Sequence, residues 1–158
     1  MINFDRVDDA LFIGSAPQTS VDVARLVQMK VTAVLSLQSD ADLKAYRINV
    51  DKLQTVYEQN SVHFQRFPII DFDEQDLGQK LPQPVNALLR LLELGHQVYV
   101  HCNAGICRAP ATVLTYLCHN KRMTIAQGLA FIRRQRPQVN PYVGAVERAL
   151  IELEKVES

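Results

Sequence analysis

The chain has 158 residues, a length that predicts one domain (1–158) with a sizeable core and no second independent module. Lysine plus arginine and aspartate plus glutamate balance at 17 each, so the surface offers no general attraction to nucleic acid or to an anionic membrane. The absence of any apolar run near ~18 residues or of a secretory pattern at the start, with an odd, low count of three cysteines, predicts a soluble chain in the cytoplasm or another reducing compartment.

Asp8 to Gly14 reads as a first strand, with Gly14-Ser15-Ala16-Pro17 as its turn. Thr19 or Ser20 can cap a helix running to about Met29, with Val23, Leu26 and Val27 on one stripe and Asp22 in its first turn. Val31 to Leu37 is β-branched and almost continuously apolar, as a parallel strand buried on both faces would be. Gln38 to Asn49 is polar, a loop with a helical turn, and Val50 to Gln59 carries Leu53, Val56 and Tyr57 at helical spacing. Val62 to Ile70 alternates and ends near Pro68, which predicts another strand.

Asp71 to Leu81 breaks the pattern with its acidic composition and is expected to be a surface loop at the C-terminal end of a strand. Pro82 or Pro84 opens a helix that Gly95 ends, and Val98 to Val100 forms a short apolar strand. Helices are expected over Ala109 to Asn120 and Thr124 to Arg136, with a last amphipathic helix from Pro141. Strands alternating with helices predict an α/β fold with a mostly parallel sheet built from right-handed crossovers. Sites in such sheets lie beyond the carboxyl ends of the strands, where both the Asp71 loop and the segment after Val100 emerge.

That segment carries the chemistry. The stretch 97–110, QVYVHCNAGICRAP, runs from a strand into His101-Cys102, through a turn at Gly105, to Arg108 and a helix. Backbone N–H groups converging on a helix N-terminus make an anion cradle. A thiol at its mouth, with an arginine six residues on, is placed to ionise readily and attack a phosphate. The amides of Asn103, Ala104, Gly105, Ile106, Cys107 and Arg108 would line the phosphoryl oxygens, with the Arg108 guanidinium adding a two-pronged charged contact. Backbone and guanidinium would supply the charge stabilisation, so neither metal nor cofactor is expected. His101 is expected to fix the loop and favour the thiolate, or simply to pack at the strand end. A proton for the leaving oxygen must come from a carboxylic acid on a neighbouring loop, and Asp71, Asp73, Glu74 and Asp76 are all candidates by spacing.

His101-Cys102-x-x-Gly105-x-x-Arg108 resembles the signature loop of cysteine-based protein tyrosine phosphatases, and the short chain resembles their dual-specificity branch. The likeness extends from LFIGSAPQT at 11–19 to RRQRPQVNP at 133–141. It implies the phosphatase fold of that branch, a phosphocysteine intermediate on Cys102, and a general acid about thirty residues before the cysteine. Asp71 occupies that place and Asp73 is the reserve. Three details are most similar to plant starch-excess and laforin-type glucan phosphatases: SLQSDADL at 36–43, DFDEQDLGQKLP at 71–82, and the Arg-Ala-Pro after the loop. By that resemblance Phe72 and Tyr46 would grip a glucan chain.

Two positions depart from the branch. Ala109 stands where most relatives carry a hydroxyl that can donate to the thiolate, and Cys107 stands where many have glycine or a small residue. A thiol at 107 could close a disulfide with Cys102 if the loop curls enough, or be a small buried side chain. Cys118, mid-helix, is expected in the core. The expectation is a monomeric phosphatase acting on phosphoprotein or phosphoglucan, with no nucleic-acid or membrane partner. Phosphoprotein-only activity, or a weak phosphate-binding or thiol redox module, is the alternative.

Overall fold

The computed structural model describes residues 1–157. Its centre is a five-stranded sheet of β1 (Phe4–Asp8), β2 (Leu11–Gly14), β3 (Ala33–Ser36), β4 (His63–Arg66) and β5 (Val98–His101), in the order β1-β2-β5-β3-β4. All neighbouring pairs are parallel except β1 with β2. The helices are α1 (Ser20–Gln28), α2 (Asp40–Ala45), α3 (Val50–Gln59), α4 (Glu74–Lys80), α5 (Pro82–Glu93), α6 (Arg108–Asn120), α7 (Ile125–Arg133) and α8 (Val143–Glu157). The α/β class and mostly parallel sheet expected from the alternation of elements are both present.

Strand side chains alternate between two cores, as a period of two requires. Leu11, Ile13, Ala33, Leu35, Val98 and Val100 pack with residues of α5, α6 and α8, while Phe12, Val34 and Tyr99 face α1 and α3. Residues 108–117 of α6 are all buried, so this helix has no solvent face in its first turns. Its N-terminus is thereby fixed under the end of β5.

Four expectations are corrected. The single strand over 8–14 is a hairpin: the Asp8 carboxylate accepts from the Ala10 amide at 2.9 Å and turns the chain back, leaving a bulge between Arg6 and Asp8. The strand over 62–70 closes at Arg66, although the Phe67 and Ile69 amides still donate to the Ser36 and Leu37 carbonyls at the end of β3; Pro68 between them has no N–H to offer. The acidic 71–81 segment contains α4, capped by Asp73, because acids in a first turn favour a helix rather than break it. Finally, α7 ends at Arg133 rather than Arg136, and α8 begins at Val143.

The end of β2 closes the back of the segment that follows β5. Gly105 has φ +70, and a Cβ there would come within 2.6 Å of the Gly14 carbonyl group, so side-chain-free backbone meets side-chain-free backbone. Tyr99 donates its hydroxyl to the Ser15 carbonyl at 2.6 Å, pinning the same corner. Among the described residues no helix is long and apolar enough to cross a membrane.

Candidate active site

Every carbonyl from Cys102 to Cys107 is bonded away from the centre of the loop. Cys102 O lies 3.0 Å from His101 Nδ1. Asn103 O accepts from the Ala16 amide at 3.0 Å, Ile106 O from the Asn140 amide at 2.7 Å, and Cys107 O from Ala111 within α6 at 2.9 Å. Ala104 O and Gly105 O accept from the Arg136 guanidinium at 3.0 and 2.9 Å. A trans peptide is planar, with its C=O and the following N–H on opposite edges, and no peptide among the described residues is cis. Six carbonyls held outward therefore turn the amides of residues 103–108 inward, at the N-terminus of a 13-residue helix. The geometry is that of an anion cradle with Cys102, 3% exposed, at its start.

The Arg108 side chain, 2% exposed, is divided between two edges. Its Nη1 is committed to the protein: Asp42 Oδ2 at 2.6 Å, Ile69 O at 2.7 Å and Leu37 O at 3.4 Å. The other edge carries Nη2, 3.3 Å from Asp71 Oδ2, and Nε, which is buried without a protein partner. Buried donors are rarely left unpaired, and the Nε/Nη2 edge is the fork that grips an oxyanion with two parallel bonds.

Asp42 is the residue that sequence reasoning missed. It sits at the third position of α2, inside a capping box in which Ser39 Oγ accepts from the Asp42 amide and Asp42 Oδ2 from the Ser39 amide. Burial pushes the Asp42 carboxyl up, but bonds from Arg108, Asn103 and Ser39 more than reverse this and hold it below the ordinary carboxylate range. The spelling Ser39-x-x-Asp42 signals a helix start; nothing in it says that the aspartate faces an arginine 66 residues away.

Asp71 is brought to the loop and Asp73 is not. Asp71 Oδ2 meets Arg108 and, at 3.2 Å, Asn103 Nδ2, while its Oδ1 accepts from the Phe72 amide at 3.1 Å. Asp73 is spent as the N-cap of α4, accepting from the Asp76 amide at 2.9 Å. Asp76 is no freely solvated acid: it accepts from the Ile70 amide at 2.8 Å and pairs with Lys80, so it anchors the turn that presents Asp71. Burial raises its carboxyl, and the Ile70 and Lys80 bonds lower it by more. Asn103 also donates to Asp42 Oδ1 at 3.0 Å and accepts from Gln38 at 2.8 Å, so one amide side chain joins the strand ends of β3, β4 and β5. Phe72 and Tyr46 are exposed, Phe72 at 87% and in the left-handed region at φ +59, and Tyr46 at the C-terminal end of α2.

His101 does not act as a cation beside the thiol. Burial, against a raising contribution from its bond to Cys102 O, pushes its imidazole down to about 4. A carbonyl can only accept, so the proton sits on Nδ1; Nε2 is buried and unpartnered. The ring fixes the Cys102 carbonyl and stays neutral. Cys107 and Cys102 are free thiols. Burial pushes the Cys107 thiol up, and its sulfur accepts a bond from the Tyr142 backbone, which suits a packed side chain rather than a reactive one. Cys118 is partly buried against the core.

Residues 11–156 match the family model described as dual specificity phosphatase, catalytic domain. The chain is 33% identical over 116 residues to phosphoglucan phosphatase LSF1, chloroplastic, of Arabidopsis thaliana, covering 73% of this chain and 20% of that protein. It is 30% identical over 149 residues to laforin of Mus musculus, covering 87% of this chain and 45% of that one. It thus spans less than half the length of these relatives. A crystal structure of PTPMT1 in complex with PI(5)P superimposes with a TM-score of 0.79 at 19% identity, over 98% of this chain and 96% of that one.

Two outcomes are expected. Asp42→Ala removes the 2.6 Å carboxylate from Arg108 Nη1 and leaves the buried guanidinium only the longer carboxylate contact to Asp71 at 3.3 Å, so it should cost up to about 3–5 kcal/mol, read as a lowered urea midpoint; an unmoved midpoint would contradict the pairing. His101 is neutral in the fold and takes up a proton only near pH 4, whereas the unfolded chain protonates it near pH 6.5. Stability should therefore fall by about 3 kcal/mol as pH drops from 6.5 to 4, and this slope should vanish in His101→Asn. Asp42 and Asp76, both held below 3.8, lose their contributions only at lower pH.

Proposed function

The chain belongs to the dual specificity phosphatase family, and from that premise we propose that it is a metal-independent cysteine phosphatase cleaving phosphate monoesters through a phosphocysteine. The observation that carries this reading is the ring of inward amides joined to the Nε/Nη2 edge of Arg108, whose Nε is buried without a partner. Six residues thus offer positive charge around one sulfur, Arg108 through both its amide and its guanidinium, matching the equatorial oxygens of a phosphoryl group in flight. In the first step the Cys102 thiolate attacks phosphorus, the P–O bond to the substrate breaks, and Asp71 gives its proton to the departing oxygen. In the second, water attacks the P–S bond, Asp71 takes its proton, and inorganic phosphate leaves with the thiolate restored.

For the substrate we favour a phosphoglucan. Phe72 directly follows the acid, is almost wholly exposed, and is held in a backbone region that a bulky side chain adopts only at a cost. A phenyl face kept in water at that cost beside the acid is a platform for the apolar face of a sugar ring, and Tyr46 offers a second aromatic on the neighbouring helix. The likeness to a phosphoglucan phosphatase and to laforin supports the same choice. We further propose that residues 1–158 act as one monomeric domain, in the cytoplasm or another reducing compartment where its cysteines stay reduced.

Turnover of an aryl phosphate in excess chelator should be abolished in Cys102→Ser; activity surviving that change would end the cysteine mechanism. Asp71→Asn should lose ~10²–10⁴ in rate with an alkyl leaving group and much less with p-nitrophenol, whereas the same substitution at Asp73 should act only through α4. Phe72→Ala should lower phosphate release from solubilised phosphoglucan while sparing p-nitrophenyl phosphate. Preference for phosphopeptides over phosphoglucan in the same assay would assign a protein substrate instead.

A further inference from the structure

Arg136 is 1% exposed and is among the largest fully buried side chains, yet the reaction steps above do not use it. It lies between α7 and α8, in a connection stiffened by Pro137 and Pro141 and tied back by Arg133 Nη2 to Val139 O at 3.2 Å. Three residues of this connection touch the catalytic loop: Arg136 at two carbonyls, Asn140 at Ile106 O, and the Tyr142 backbone at the Cys107 sulfur. The third arm of the guanidinium, Nη1, is held by Asp5 of β1 at 2.8 Å.

We propose that Arg136, set by Asp5, is a positioning residue for the reaction: by holding Ala104 O and Gly105 O outward it aims the Gly105 and Ile106 amides at the phosphoryl group. The peptide geometry makes this specific. Each carbonyl rotated out rotates in only the amide of the next residue, so Arg136 sets two of the six donors, at the turn where Gly105 adopts a positive φ and the loop has least intrinsic preference. A guanidinium can serve this role because its donors lie in one plane and a fixed fork, reaching two successive carbonyls and a carboxylate together. A lysine ammonium in the same place keeps the charge without the fork.

This inference rests on the phosphatase reading, and the test separates the two. Inorganic phosphate is titrated as an inhibitor of aryl phosphate turnover and, in parallel, into labelled protein observed by amide NMR. In the wild-type protein the Gly105 and Ile106 amides should shift on phosphate binding; absence of turnover and of any phosphate-induced shift there would overturn the phosphatase reading itself. In Arg136→Met, phosphate inhibition should weaken by roughly tenfold or more, as loss of donors to a charged group predicts, with kcat falling further than KM rises. The Gly105 and Ile106 shifts should shrink while those of Asn103 and Arg108 persist. Should that variant fail to fold, Arg136→Lys carries the test, with an intermediate loss of phosphate affinity confined to the same two amides. Were Arg136 only a structural strut, folded variants would have lower thermal midpoints but wild-type phosphate inhibition and wild-type shifts, and the inference would be overturned.

Discussion

A carbonyl and the amide that follows it cannot point the same way, and the site depends on that constraint. Six consecutive carbonyls are each given an acceptor's place outside the loop, by a strand-end histidine, by backbone amides of the β2 turn and of the α7–α8 connection, by a buried arginine, and by the first turn of α6. The inward amides need no further device. Because the outward partners come from segments far apart in the chain, the loop holds its shape only while the surrounding fold is intact. This preorganisation removes the cost of assembling donors around a substrate at the moment of reaction.

The chain as a whole is neutral, so the positive character of the loop is created locally by where charge is buried. Each of the two buried arginines at the loop has a carboxylate on its outer side, Asp42 for Arg108 and Asp5 for Arg136, and both direct their remaining donors at the loop or its contents. Pairing makes the burial of a guanidinium tolerable while orienting it. The acid is treated the same way: Asp76 anchors the turn at Ile70, Asp73 starts the helix after it, and Asp71 is the carboxylate turned towards Arg108 and Asn103. Three acids close in sequence thus take three different roles, decided by which backbone amide each one meets.

Much of this is legible in the residue order alone. The strand-to-helix transition around Cys102, the arginine six residues later, the helix starts near Thr19 and Thr124, and the helix-ending Gly95 are local features, and local features are written in local residue order. The apolar runs at 31–37 and 98–100 are short enough to be strands and too apolar to have a wet face, which places them at the centre of a parallel sheet. The first hairpin and α4 were hidden because their residues are polar or acidic, and polarity alone reads as loop when the partner that satisfies it is not in view.

The sequence by itself thus determined the class of fold, and it singled out the proposed nucleophile, the arginine of the same loop and the neighbourhood in which an acid is to be sought, since each follows from residue type and short-range spacing. Which aspartate faces the loop, that Asp42 orients Arg108, and that Arg136 reaches back to two carbonyls were decided only by tertiary structure. Those pairings join residues 31 to 66 positions apart, and a contact at such separation depends on where the whole sheet brings its strand ends, which no local pattern encodes.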